Sequence, residues 1–123
     1  MAKHLKDYEH KEAYIEPADI TDIMPSSTIV LITGANTGLG LETVKSLCRS
    51  SNAYTILLGG RSLDKANAAA KEAREEYPDT ASTIEPIQID IEVDASISEA
   101  FENVESQYGR VDVLLNNAGE FVK

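Results

Sequence analysis

The sequence predicts an α/β fold built on a doubly wound parallel sheet. Four short apolar runs alternate along the chain with three stretches whose apolar residues recur at steps of three and four, the spacing of one helix face. The apolar runs lack a clean alternation of apolar and polar residues, which is typical of parallel strands covered on both faces. Because crossovers between parallel strands are right-handed, helices are expected on both sides of the sheet.

The first half of this pattern is well delimited. A strand at Thr28–Ile32 is closed by Gly34, and a helix at Leu39–Arg49 follows with its apolar residues on one face. A second strand at Tyr54–Leu58 stops at a pair of glycines. The next helix, Leu63–Tyr77, ends before a proline, which cannot continue a helix.

The second half repeats the order strand, helix, strand. The third run, Thr83–Ile91, is interrupted by a glutamate and a proline, and the helix Asp94–Tyr108 has apolar residues on one face and glutamates on the other. The pattern Ser96-x-x-Glu99 predicts a capping box at the start of this helix, and Gly109 predicts its end. Val111–Leu115 is the fourth run.

Composition limits the class of protein. The chain has 123 residues, 42% of them hydrophobic, which is enough for one core and argues against a disordered chain. Its net charge of −10 disfavours nucleic acid and anionic lipid as partners, and no apolar run is long enough to span a membrane. The lone Cys48 lies on the apolar side of the first helix, which predicts a buried hydrophobe. His4 and His10 lie in a charged tail without metal-ligand spacing, so we expect no metal site and a soluble, cytoplasmic protein.

A glycine-rich turn joins the first strand to the first helix. Gly34 permits the tight turn, Gly38 lets the backbone approach a diphosphate, and Gly40 lets the helix pack closely on the strand. The N–H groups and the positive dipole end at the helix start then favour phosphate groups. In this context between strand and helix, the turn predicts a dinucleotide-binding site.

The end of the second strand bears on which dinucleotide binds. NAD favours an Asp or Glu there, which accepts bonds from its ribose hydroxyls, and no acid is present at this strand end. Arg61 can place two N–H groups on a 2′-phosphate, Ser62 can donate its hydroxyl, and Lys65 adds positive charge. These residues favour NADP over NAD. The alternative is that Arg61 is a solvated loop cation and Ser62 only a helix N-cap.

Two motifs resemble the short-chain dehydrogenase/reductase family. The turn Thr33-Gly34-x-x-x-Gly38-x-Gly40 is similar to the cofactor turn of that family, and Asn116-Asn117-Ala118-Gly119 is similar to its second signature. Leu47-Cys48-Arg49 and Gln88-Ile89-Asp90-Ile91 are similar to carbonyl reductases within the family. The resemblance implies a Rossmann-type sheet of strand order 3-2-1-4 with three helices, incomplete in this chain. Residues 28–123 would be a partial NAD(P)-binding domain, and residues 1–27 a polar N-terminal extension.

The resemblance also implies roles for single residues near the adenosine half of the cofactor. Asn36 and Leu39 would meet the cofactor phosphates, whereas Thr37 stands where some carbonyl reductases have a lysine. Asp90 would accept a bond from the adenine amino group, with Ile91 beside the ring.

The second signature would serve the nicotinamide half of the cofactor. The residues implied to line the ribose on that side are Asn117, Ala118 and Gly119. Asn116 would instead tie the sheet to Thr33.

By the same resemblance, the reaction is hydride transfer between a nicotinamide and a carbonyl or alcohol carbon, served by a Tyr-x-x-x-Lys pair and an upstream serine. None of the five tyrosines is followed by lysine at the fourth position, so no catalytic residue is assigned. We interpret the sequence as the cofactor-binding part of an NADP(H)-dependent oxidoreductase, from a truncated product or an incompletely read gene. A small carbonyl or alcohol substrate is expected only with a C-terminal half.

Two further expectations concern the chain on its own. The alternative function is a non-catalytic nucleotide-binding or interaction module. The fourth strand, Val111–Leu115, is expected to be an open sheet edge, which weighs against this alternative. We expect the isolated chain to be marginally stable or to associate through that edge.

Overall fold

The described part of the chain, residues 27–117 of a computed structural model, is a four-stranded parallel sheet with three helices. The strands are β1 (Ile29–Thr33), β2 (Thr55–Gly60), β3 (Thr83–Gln88) and β4 (Val113–Asn116), and the helices are α1 (Gly38–Arg49), α2 (Leu63–Glu76) and α3 (Asp94–Tyr108). The strand order is β3-β2-β1-β4. Both the predicted α/β fold and the order implied by the resemblance are confirmed.

The strands are aligned so that their carboxyl ends meet at one edge. Thr33 at the end of β1 pairs with Asn116 of β4, and Gly60 at the end of β2 pairs with Gln88 of β3. At the opposite edge, an aspartate side chain helps to hold β1 against the start of β4. Asp112 Oδ2 accepts from the Ile29 N–H at 2.8 Å, and the Asp112 N–H donates to the Ile29 carbonyl at 2.9 Å.

Apolar side chains cover both faces of the sheet, as expected for parallel strands. The larger cluster packs α1 and α2 on one face, and we call it the α1–α2 cluster. Its buried members are Val30, Ile32, Ala35, Val44, Leu47, Cys48, Tyr54, Ile56, Leu58, Ala66, Ala69, Ala70, Ala73, Ile84 and Val113. The α3 cluster on the other face consists of Ile29, Leu31, Leu57, Ile89, Ala100 and Val104. Helices therefore lie on both faces, which makes the sheet doubly wound.

Cys48 belongs to the α1–α2 cluster and is 3% exposed. Its burial raises the pKa of the thiol, since an apolar environment disfavours the thiolate. The prediction of a buried hydrophobe is confirmed.

One predicted helix signal is wrong and another is confirmed. The residue that precedes α3 is Val93, and no side chain caps this helix start. Because α3 begins at Asp94, Ser96 lies inside its first turn rather than before it, and its hydroxyl accepts from the Asp90 N–H at 2.9 Å. The predicted capping box is therefore absent. Gly109 does end the helix, in the left-handed conformation with φ +83°.

Two strands are shorter than their apolar runs. β3 ends at Gln88, although the buried Ile89 still donates its N–H to the Gly60 carbonyl. β4 begins at Val113, and the half-buried Val111 packs on the α3 cluster before the strand starts. In both cases apolar residues continue past the end of the strand.

Candidate functional site

Four loops meet at the carboxyl edge of the sheet, where ligands bind in open parallel sheets. Backbone hydrogen bonds join three of them: the Ala35 N–H donates to the Gly59 carbonyl at 2.8 Å, and the Ile89 N–H donates to the Gly60 carbonyl at 2.9 Å. The fourth loop follows β4, and its Asn117 N–H donates to Thr33 Oγ1 at 3.0 Å. The structure thus brings together the predicted site residues that fall within residues 27–117.

The glycine turn between β1 and α1 has the backbone that its sequence predicts. Gly34 and Gly38 have φ values of +59° and +60°, a region that other residues rarely adopt. A Cβ on Gly40 would lie 2.4 Å from the Gly34 carbonyl oxygen and 2.9 Å from Ala35 Cα. The first turn of α1 therefore packs directly on the backbone of the glycine turn.

The start of α1 is open to solvent. Thr37, Gly38 and Leu39 are exposed, and Thr37, the residue before the helix, makes no side-chain cap bond. Among the described residues, no heavy atom lies within 4 Å of the position that a Cβ on Gly38 would take. N–H groups at a helix start without a side-chain cap, beside open space, suit an anionic ligand.

Asn36 lies between this turn and the end of β2. It is half-buried, and its Oδ1 would be 3.2 Å from a Cβ on Gly60. A Cβ on Gly59 would lie 2.9 Å from the Ile32 carbonyl oxygen. The two glycines that end β2 therefore allow its backbone to approach β1 and the glycine turn closely.

Arg61, the first residue after β2, is a cation without a partner among the described residues. Arg61 is exposed, and within residues 27–117 its guanidinium makes no hydrogen bond or ion pair. Ser62 Oγ accepts from the Lys65 N–H at 3.3 Å, so this serine is the N-cap of α2. Because the hydroxyl acts there as an acceptor, its own proton remains available to a ligand. Arg61, Ser62 and Lys65 thus leave N–H, O–H and cationic groups at one strand end.

The loop after β3 is folded back on itself. Asp90 Oδ1 accepts from the Glu92 N–H at 3.0 Å, and the Asp90 carbonyl accepts from the Val93 N–H at 3.0 Å. Asp90 and Ile91 are both half-buried at the carboxyl edge. The loop therefore holds a carboxylate beside an apolar side chain.

The end of β4 is tied to β1 by a side-chain bond. Thr33 Oγ1 donates to Asn116 Oδ1 at 2.8 Å and accepts from the Asn117 N–H. The tie between Asn116 and Thr33 is confirmed. Ala118 and Gly119, the other two residues of the second signature, lie outside the described residues.

Sequence reasoning missed two contacts that shape these loops. Gln88 Nε2 donates to the Arg61 carbonyl at 3.1 Å, and Ser96 supports the Asp90 loop as described above. Both bonds join residues brought together by strand pairing or by helix placement. The register between β2 and β3 and the start of α3 would have been needed to predict them.

Two other kinds of feature are absent from residues 27–117. No group of three or more His, Cys, Asp or Glu side chains there is arranged to hold a metal ion. The two histidines lie outside the described residues. None of the helices in this part of the chain has the length and apolar character needed to cross a bilayer.

The chain matches known proteins both in sequence and in structure. Residues 28–122 match the short chain dehydrogenase family. The short-chain dehydrogenase/reductase eupG of a Phoma species is 47% identical over 92 residues, which cover 74% of this chain and 33% of the relative. The chain spans about a third of the length of the curated relatives it matches.

Two solved structures share the arrangement of strands and helices. The menthone neomenthol reductase of Mentha piperita superposes with a TM-score of 0.68 at 25% identity, covering 76% of this chain and 32% of that protein. The L-sorbose reductase of Gluconobacter frateurii, solved with NADPH and L-sorbose, has a TM-score of 0.67 at 26% identity and covers 79% and 35%.

Proposed function

Since the chain belongs to the short-chain dehydrogenase family, we propose that it binds a nicotinamide dinucleotide, NADP in preference to NAD, at the carboxyl edge of its sheet. Bound there, the nicotinamide ring supplies a hydride acceptor or donor. The whole protein is then an oxidoreductase that acts on a small carbonyl or alcohol substrate. Residues 28–123 form the partial cofactor-binding domain of this proposal, and residues 1–27 are an extension outside it.

The observation that carries the choice of NADP is the partnerless guanidinium of Arg61 at the end of β2. A guanidinium can bind a 2′-phosphate through two charged N–H groups. Those of Arg61 make no hydrogen bond or ion pair within the described residues. The Ser62 hydroxyl and the Lys65 ammonium support the same group. No carboxylate stands at this strand end to accept the ribose hydroxyls of NAD.

The remaining residues of the proposed site divide between the two halves of the cofactor. On the phosphate side, the N–H groups at the start of α1 bind the diphosphate. The residues of this part are Gly34, Asn36, Thr37, Gly38, Leu39 and Gly40. Asp90 and Ile91 take the adenine, by an accepted bond and by apolar contact. Asn117, Ala118 and Gly119 line the ribose beside the nicotinamide.

The compartment and the chemistry of the isolated chain complete the proposal. A single cysteine that is buried and unpaired agrees with a reducing compartment, and we propose the cytoplasm. The 123 residues contain no Tyr-x-x-x-Lys, so they are expected to bind NADPH without oxidising it in the presence of a carbonyl compound.

The test is a titration of the 123-residue chain with NADPH and with NADH, for the wild type and for Arg61→Ala. Loss of the forked, charge-assisted bonds should weaken NADPH binding by about 2 kcal/mol, or roughly thirtyfold in Kd, and leave NADH binding nearly unchanged. Lys71→Ala removes an exposed cation from the middle of α2 and is the matched control. Absence of saturable binding of both nucleotides to the wild type would refute the proposal, and equal losses for both would refute the role of Arg61.

A further inference from the structure

One side chain holds the backbone from which Arg61 extends. Gln88 Nε2 donates to the Arg61 carbonyl at 3.1 Å, from the last residue of β3 to the first residue after β2. We propose that Gln88 is a positioning residue of this site, which sets the preference for a dinucleotide with a 2′-phosphate by fixing the Arg61 peptide. This inference rests on the dinucleotide-binding function proposed above.

The Arg61 carbonyl relies on a side chain for its hydrogen bond, whereas the carbonyls on either side of it are bonded to backbone N–H groups. The Gly60 carbonyl accepts from the Ile89 N–H at 2.9 Å, and the Ser62 carbonyl accepts from the Ala66 N–H at 3.0 Å. These bonds join backbone groups of the sheet and of α2, and neither involves a side chain. Within residues 27–117, the Gln88 amide is the donor found on the Arg61 carbonyl. Without it, the Arg61 carbonyl has no hydrogen-bond donor among the described residues.

The placement of Gln88 explains why this side chain can reach the loop. Gln88 pairs in register with Gly60, the residue immediately before Arg61. Gly60 has no side chain, so none from β2 stands at the paired position beside Gln88. The amide therefore lies next to the point where the chain leaves β2.

A shift of the Arg61 peptide also shifts the guanidinium at the end of its side chain. Arg61 has no other anchor, since its guanidinium is without a partner in the described part of the chain. A displaced peptide widens the range of positions that the guanidinium samples, and fewer of them meet a phosphate in a forked geometry. The effect falls on NADP alone, because NAD has no 2′-phosphate for Arg61 to meet.

The experiment compares Gln88→Met, which keeps the length of the side chain and removes the amide, with the wild type. We expect about a three- to tenfold loss of affinity for NADPH and less than about a twofold change for NADH. In an Arg61→Ala background, Gln88→Met should have no further effect on NADPH, because the group it positions is gone. Gln107→Met, at an exposed glutamine of α3, is the matched control and should leave both affinities unchanged.

A second readout is independent of nucleotide. Amide hydrogen exchange in residues 61–66 of the unliganded chain should be faster in Gln88→Met than in the wild type. If Gln88→Met does not fold, Gln88→Leu serves instead, since it also lacks the amide donor and adds no charge beside the proposed phosphate site.

The outcomes separate this inference from the proposed function. Two results would overturn the positioning role and leave the proposed function standing. One is that Gln88→Met leaves the ratio of the NADPH and NADH affinities unchanged, whether both fall equally or neither falls. The other is that Gln88→Met still weakens NADPH binding by the full amount in the Arg61→Ala background. A wild type that binds neither nucleotide would overturn both. A selective loss for NADPH that disappears in Arg61→Ala supports the inference.

Discussion

At the scale of single residues, the site depends most on places where a side chain is missing. The turn between β1 and α1 brings backbone against backbone at Gly40, whereas Gly38 has a positive φ and no described residue within 4 Å of the position of a Cβ. The two glycines therefore have different physical reasons to be glycine. Gly40 avoids a clash, and Gly38 avoids the steric cost of a left-handed backbone.

The two reasons predict different costs for the same substitution. Gly40→Ala places a methyl group 2.4 Å from the Gly34 carbonyl oxygen, and the free energy of unfolding should fall by about 3 kcal/mol. Gly38→Ala meets no neighbour among the described residues and should cost about 1 kcal/mol, because an alanine is strained at φ near +60°. Urea denaturation of both variants measures the difference. Equal losses would show that α1 moves away from the turn easily, contrary to the close packing described here.

These residues also show what a sequence can and cannot predict. The glycine turn is predictable because its backbone conformation admits few other residues, and the apolar runs are predictable because both faces of the sheet are covered. The bond from Gln88 to the Arg61 carbonyl and the bond from Ser96 to the Asp90 N–H are not, since each depends on a register between elements that composition does not encode. Ile89 and Val111 extended the predicted strands because a buried loop residue and a strand residue are equally apolar.

At the scale of elements, charged side chains join α1 to α2 above their shared apolar cluster. Lys45 Nζ of α1 lies 2.7 Å from Glu72 Oε2 and 3.0 Å from Glu76 Oε1 of α2. Arg49 donates to the Tyr77 hydroxyl at 2.7 Å and also lies over the Tyr77 ring. Hydrogen bonds to Glu72 and Glu76 raise the pKa of Lys45, which stays charged across the ordinary pH range.

This pairing predicts how stability responds to acid. The hydrogen bond from Lys45 lowers the pKa of Glu76 below its ordinary value of 4.5. Because the pKa is lower in the folded state than in the unfolded one, the pairing stabilises the fold fully above pH 4.5 and less as the pH falls through the lowered pKa. The free energy of unfolding should therefore fall more steeply with acid in the wild type than in Glu76→Gln, which has no carboxyl to protonate.

Urea denaturation at a series of pH values from about 6 to about 3 measures these slopes. Glu75→Gln is the control, since Glu75 pairs with Lys71 within α2 and does not reach α1. Parallel slopes for the wild type and Glu76→Gln would contradict the prediction.

At the scale of the whole molecule, the two outer strands of the sheet, β3 and β4, differ in how readily another strand can pair with them. The Thr83 N–H donates to the carbonyl of Tyr54, just before β2, and the Ile89 N–H donates to the carbonyl of Gly60, the last residue of β2. The even-numbered residues of β3 therefore point their backbone N–H and carbonyl groups away from β2. Pro86 has no N–H to offer there, and Arg74 donates to the outward carbonyl of Ile84. Within residues 27–117, β4 has no strand on its outer side and no comparable protection. Pro86 and Arg74 therefore oppose further pairing along β3, and no such feature lies along β4 within the described residues.

The open edge predicts that the 123-residue chain associates with itself. Sedimentation velocity should show a mass that rises with concentration. Leu115→Lys puts a charge on β4 and should raise the concentration needed for association by about tenfold, because charged side chains on an edge oppose strand pairing. The Leu115 side chain also packs on the α1–α2 cluster, so the circular dichroism spectrum of the variant must match that of the wild type for the comparison to hold. Thr83→Lys makes the same change of charge on β3 and should have no effect. A wild type that stays monomeric at every concentration would contradict the prediction.

Cys48 gives this chain a built-in reporter of its own opening. The thiol is buried in the α1–α2 cluster, and the chain has one cysteine, so each molecule can react once with a thiol reagent. Reaction requires the residues around the sulfur to open, either by movement of α1 or by movement of residues 78–81, which line the cavity beside Cys48. The fraction of labelled molecules over time, read as a mass increase, then measures the free energy of this local opening without an engineered labelling site. The same measurement with and without NADPH would show whether an occupied site restrains this opening.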